Sequence, residues 1–144
     1  MKMFLILTML VGGAAFAHQG ATGIVLERME GMKSIGAAVK FIAPMMTGNA
    51  DFDPAIATEA ANAIIAHSGQ NMIDRFPHGS DGGVSEAAAN IWDDPEGFAA
   101  IAFKLEELAA AIPLEDASAE DRLTLFNDIG QTCKDCHADY RISK

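Results

Sequence analysis

Cysteine occurs only twice in this 144-residue chain, tryptophan and tyrosine once each, and the 10 basic side chains are outnumbered by 20 acidic ones. Each scarcity removes a class of explanation. A net charge of −10 argues against nucleic acid or an anionic membrane as partner, while it permits a basic protein partner. Beyond residue 17 the only valines are Val25, Val39 and Val84, and no stretch alternates apolar with polar as a half-buried strand would. Internal repeats and low-complexity tails are missing. So are a phosphate-cradling loop, a His-Ser-Asp arrangement and a conspicuous carboxylate pair, and nothing in the chain speaks for an enzyme.

No apolar run reaches the roughly 20 residues of a spanning helix. The opening "MKMFLILTMLVGGAAFA" instead has one Lys, a short apolar middle and the small-residue ending Ala15-Phe16-Ala17. That is the plan of a secretory signal peptide, so residues 1–17 are set apart from the fold and the mature protein is expected to start at His18, in the periplasm. Loss of Lys2 takes the balance to 9 basic against 20 acidic residues. Residues 18–144 are long enough for one domain with a real core.

What remains is rich in Ala, Leu, Ile, Met and Glu, with helical periodicity in four segments. Val25, Met32, Val39 and Met46 fall seven apart, which predicts one buried face of a long helix over roughly 22–47. Pro44 is expected to kink its last turns and Gly48 to end it. Asp53-Pro54 is an N-cap followed by proline at the first helical position, opening a second helix through about Arg75. "FPHGSDGGVS" is a loop by composition. Asp94-Pro95-Glu96 repeats the cap and proline for a third helix ending before Pro113. Ser118 with Asp121 resembles a capping box for a fourth, reaching the C-terminus. Four helices with mostly short joints predict an all-α, antiparallel four-helix bundle.

The two cysteines sit on the fourth helix in Cys133-Lys134-Asp135-Cys136-His137. The inward face is expected to carry Leu123, Phe126, Ile129, Cys133, His137 and Tyr140. A disulfide between residues 133 and 136 would close a tiny loop and stabilise little, so chemistry is the better use of the pair. Zinc wants four N or S ligands and the motif supplies at most three, with His18, His67 and His78 scattered singly. A thioredoxin-type dithiol belongs at a helix N-terminus, where the dipole favours thiolate; this pair lies near a helix C-terminus. Cys-x-x-Cys-His fits haem c attachment, two thioethers with the adjacent imidazole on the iron. A haem-free helical protein with a dithiol or disulfide remains the alternative from another class.

With these motifs the chain resembles the cytochrome c′ family, the class II c-type cytochromes, over essentially all of its mature length. "CKDCHADYR" is similar to the family's haem-binding end and "RMEGMKSIG" to its first-helix signature. "GNADFDP", "FPHGSD" and "IWDDPEGF", with Trp92 and Phe98, resemble its helix connections. The resemblance implies one covalent haem c held by Cys133 and Cys136, with His137 as proximal iron ligand. It places Arg141 near the haem edge, Arg28 within reach of a propionate and Met32 at the distal position. A bound Met32 implies a periplasmic electron carrier working with redox partner proteins. An unbound one implies an open iron that takes NO or CO. Met29, Met46 and Met72 are other methionines able to approach, and His67 is read as a partly exposed helix histidine. Homodimerisation through the first two helices is a further possibility the resemblance brings.

Overall fold

The computed structural model describes residues 20–112 and 116–142. The leader of residues 1–17, His18 and Pro113 lie outside the described residues. Among the described residues six helices follow one another: α1 Gly23–Met46, α2 Pro54–Ile65, α3 Gly69–Ile73, α4 Asn90–Asp93, α5 Pro95–Ala110 and α6 Ala119–Tyr140. The four long ones form the expected antiparallel bundle, α1 packing on α2 and α6, and α5 on the same two helices from the other side. The short α3 rests on α5, and α4 touches α5 and α6. None of these helices is long and apolar enough to cross a membrane.

Local chemistry starts the helices where the sequence says. Asp53 Oδ1 accepts from the backbone N–H of Ala55 and Ile56, with Pro54 at the first helical position. Asp94 Oδ1 accepts from Gly97 N at 3.1 Å to open α5. Ser118 and Asp121 form a reciprocal capping box on α6. α1 runs through Pro44 and ends at Met46, followed by Gly48 at φ +75°, a conformation that costs glycine little.

The core mixes small residues with larger apolar ones. Ala57, Ala60 and Ala61 of α2 and Ala102 and Ala109 of α5 are buried, which lets backbones approach closely around Ile42, Met46, Ile64 and Ile129. Two expected stripes are shifted. On α1 the buried line is Arg28, Gly31, Ile35, Ala38, Ile42 and Met45; Met46 is buried too, but Val25 and Val39 are half-buried and Met32 is 38 % exposed. On α6 the buried apolar line is Leu125, Ile129 and Tyr140, whereas Leu123 lies exposed. In both helices a neighbouring apolar line faces something other than the core.

The second helix also stops earlier than its pattern suggests. After Ile65 the N–H groups of His67 and Ser68 bond three residues back, to Ile64 O and Ile65 O, and Ser68 swings into an extended conformation. Gly69 then takes φ +52°, and a side chain there would overlap the Glu106 carboxylate on α5. A helical period persists through residues 66–75, but this corner redirects the chain, so α3 leaves the line of α2 and packs on α5.

The segment between α3 and α5 is stitched to the end of α6. Trp92 Nε1 donates to Phe76 O at 2.9 Å, Ala88 N to Tyr140 O at 3.0 Å, and Ile142 N to Glu86 O at 2.8 Å. Ala87 and Arg141 form an isolated antiparallel bridge. The buried Tyr140 donates its hydroxyl to Asp94 Oδ2 at 2.8 Å, and burial together with that carboxylate pushes the phenol pKa up to about 12. Phe98 sits edge-on between Phe76 and Tyr140, centroids 4.9 and 5.4 Å apart. Gly97 makes this possible, because a Cβ there would collide with both the Asp94 carboxylate and the Tyr140 hydroxyl. Alanine normally stabilises a helix by about 1 kcal/mol over glycine. For Gly97→Ala the sign should reverse: loss of the cap and of the buried bond is expected to cost about 2 kcal/mol net. The midpoint of urea unfolding against the parent chain measures it, and a more stable variant would refute the argument.

Candidate functional site

Between α1 and α6 the bundle opens. One cavity of about 630 Å³ is walled by Val25, Arg28, Phe76, Phe98 and Tyr140, among others. A second, of about 300 Å³, is walled by Ile35, Val39, Leu105, Phe126 and Cys133. Three residues line both: Met32 from α1, and Cys136 and His137 from α6. The less buried apolar line of α1 thus has its explanation, since Val25, Met32 and Val39 line the cavities. The same holds for Phe126 on α6. Sequence periodicity registers both lines as hydrophobic and does not separate them.

Cys133, Cys136 and His137 occupy positions i, i+3 and i+4 within the last two turns of α6, which brings them to one side of the helix. Both thiols are half-buried. Burial raises the Cys133 pKa above its ordinary value, and burial together with Cys133 and Asp139 pushes Cys136 up to about 11. The thiols therefore stay protonated near neutral pH, the reverse of what a dithiol exchange centre needs. His137 moves the other way. Desolvation at the cavity wall, aided by the Arg141 cation, lowers its pKa and favours the neutral imidazole with a free lone pair. Among the described residues no three His, Cys, Asp or Glu side chains converge as a metal-binding cluster.

Arg28 is 7 % exposed on the wall of the larger cavity. Its Nη2 donates to Ser80 O at 2.5 Å, its Nε to Ile24 O at 3.4 Å, and its guanidinium lies 4.6 Å from the Phe76 ring centroid. Nη1 is buried with no protein partner. Burial lowers the pKa of this arginine, partly offset by Asp81, so the cation wants a further anionic neighbour. Arg141, on the same wall, is more exposed and already engaged: Nε and Nη2 both donate to Glu86 Oε2, at 2.9 and 2.6 Å. Glu86 is the site residue that sequence reasoning missed, because a lone carboxylate in a Gly- and Ser-rich loop carries no local signal of a partner 55 positions away.

The other methionines separate by position. Met29 lines only the larger cavity, Met72 only the smaller, and Met46 belongs to the core. His67 lines neither; its ring packs against Gly31 on α1.

An apolar slot with two thiols, a neutral imidazole and a thioether on its walls, and a buried arginine with a spare N–H, suits a flat macrocycle that carries carboxylates. The comparisons agree. The family model described as Cytochrome C′ matches residues 23–141. A cytochrome c′ of Rhodopseudomonas palustris is 34 % identical over 140 residues, covering 94 % of this chain and 92 % of the relative. A solved cytochrome c′ structure from the same organism superposes with a TM-score of 0.74 at 30 % identity, covering 86 % of this chain and 99 % of the other. A nitric oxide complex of a leucine-to-alanine mutant of cytochrome c prime from Alcaligenes xylosoxidans gives 0.71 at 25 % identity, covering 84 % and 94 %. The chain belongs to the cytochrome c′ family, with that family's single covalently bound haem c.

Proposed function

We propose that the protein is a periplasmic single-electron carrier in which His137 and Met32 would be the side chains that hold the haem iron, exported by residues 1–17 and mature as residues 18–144. The observation that carries this reading is that Met32 and His137, from different helices, line both cavities of the slot. The bound haem iron supplies a one-electron couple. The protein's part is to hold that couple still. Cys133 and Cys136 are the only two thiols in the sequence, so both thioethers fall to them. His137 offers a neutral imidazole, and the tethered last turn of α6 limits how far that imidazole can move as the charge on iron changes. Met32 supplies a soft, uncharged sulfur on a flexible stem, suited to either oxidation state. Most of the cavity walls are apolar, and the acidic surface favours docking of a basic redox partner.

A second reading has its own support. Met32 is 38 % exposed, so packing does not lock its thioether in one place. A relative of the same fold is known as a nitric oxide complex. If Met32 stays off the iron, the same slot becomes a binding site for NO or CO, and the protein a gas binder.

The attachment is checked by maturing the chain with a haem-ligation system. The product should begin at His18 and weigh one haem more than the 18–144 chain. Cys133→Ser or Cys136→Ser should each retain haem through one thioether, and the double variant should release all of it into acidified acetone. A wild-type chain of unmodified mass would sink both haem readings. The axial ligand is checked by optical and EPR spectra of wild type beside Met32→Ala. A low-spin ferric signal with a methionine–iron charge-transfer band, lost in the variant, is expected. A high-spin spectrum that the substitution leaves alone would select the gas-binding reading.

A further inference from the structure

The charges around the slot run against those of the chain. Acidic residues outnumber basic ones by 20 to 10 overall. Along the two cavities the balance reverses. Arg28, Lys33 and Arg141 line the larger and Lys40 the smaller, while Glu86, already engaged by Arg141, is the sole carboxylate among the described residues that line them. Asp128, Asp135 and Asp139 of α6 border neither cavity, and nor do Glu27 and Glu30 of α1. Lys33 and Lys40 follow the cavity residues Met32 and Val39 by one position each, so on α1 a cationic line runs beside the apolar one. Both lysines are exposed, whereas Arg28 is buried. Lys40 makes no ion pair among the described residues, and Lys33 has only an exposed contact with Glu30, of a kind that is weak in water. The exposed Val84 adds apolar surface to the same rim.

We propose that this rim is the docking surface for the redox partner, and that the partner is a protein presenting carboxylates to Lys33 and Lys40. The proposal rests on the electron-carrier reading above and specifies the partner's contact patch. The net negative charge still draws in a partner that is basic overall. Carboxylates at the contact then select, among its orientations, the one that sets it over the slot, because complementary charge fixes register more than it adds affinity.

The test uses haem-loaded protein and two small one-electron oxidants of opposite charge, hexacyanoferrate(III) and tris(phenanthroline)cobalt(III). Each takes one electron from the ferrous haem and leaves it ferric. At an ionic strength of about 0.1 M charges act over about 10 Å, so local charge outweighs net charge. Lys33→Glu and Lys40→Glu should each slow oxidation by hexacyanoferrate severalfold and quicken oxidation by the cobalt complex. Lys104→Glu, at an exposed α5 position that borders neither cavity, makes the same change in net charge and should leave both rates close to those of the parent. Equal responses of the three variants would mean that net charge alone acts, which overturns the proposal. A ferrous haem that gives no electron to either reagent counts against the carrier reading instead, and a binding measurement then decides the surface by itself. Hexaglutamate added to the wild type should shift amide resonances around Lys33 and Lys40, and Lys40→Glu should abolish the shifts. Shifts elsewhere, or none, overturn the docking surface. Binding to phosphatidylglycerol vesicles with none to hexaglutamate would assign the rim to a membrane and overturn it too.

Discussion

The hydrogen bond from the Tyr140 hydroxyl to Asp94 Oδ2 holds the functional end of this molecule in place. α6 carries its whole motif in its last turns, and the last turns of a terminal helix ordinarily fray. Asp94 prevents this with one side chain in two jobs, since its other oxygen caps α5. The carboxylate thus locks the start of α5 to the end of α6. His137, three residues before Tyr140, is held by α5 as well as by its own helix. The backbone bonds from Ala88 to Tyr140 and from Ile142 to Glu86 extend the hold by two more points. The phenol is kept protonated by its burial and by the acceptor itself, so the bond persists throughout the pH range in which the protein would work.

A bundle that must keep a slot open needs tight packing elsewhere to offset it. The alanines of α2 and α5 provide that, with Ala57, Ala60, Ala61, Ala102 and Ala109 buried in the same core as Ile42, Ile64 and Ile129. α1 divides its surface between the two regions. Positions 31, 38 and 42 are buried in the bundle, positions 25, 32 and 39 line the cavities, and the buried Arg28 and Ile35 border the cavities as well. The two lines are adjacent on the helix and equally apolar but for Arg28. That arginine enters the buried line beside the larger cavity, and Phe76 and Ser80 accommodate it there.

What could be read in advance and what could not divides along the range of the interactions. Asp53-Pro54, Asp94-Pro95 and the Ser118–Asp121 box are local, and each starts a helix where expected. Cys133, Cys136 and His137 form a local motif as well, and the structure brings all three to the slot. Periodicity was the weaker guide. A stripe at seven-residue spacing marks any apolar environment, and the Val25–Met32–Val39 line that looks like core turns out to border the cavities. The break at Ser68 is invisible for a related reason: residues 66–75 retain a helical period, and what stops α2 is Gly69 fitting against Glu106 on another helix. The Arg141–Glu86 pair lies further still from anything the sequence encodes locally.

That pair bears on how the two arginines of the larger cavity share their work. Arg141 and Arg28 look interchangeable in sequence, each one helical turn from a residue expected at the iron. In the fold they differ in what they still lack. Arg141 is well exposed and satisfied by Glu86, a surface pair whose own worth is about 0–1 kcal/mol and whose charge is already matched. Arg28 is buried, and one of its nitrogens has no protein partner. An incoming carboxylate gains little by competing with Glu86 and much by completing Arg28, since a buried unpaired cation is costly and a charge-assisted bond relieves it. Cys133 lines the smaller cavity and Arg28 the larger, while Cys136 borders both. Thioethers on that side and an arginine with an unmet bond on the larger cavity would favour one direction for a group that carries carboxylates on one edge. Orientation in the slot, on the proposed reading, follows from this asymmetry of unmet bonding more than from shape.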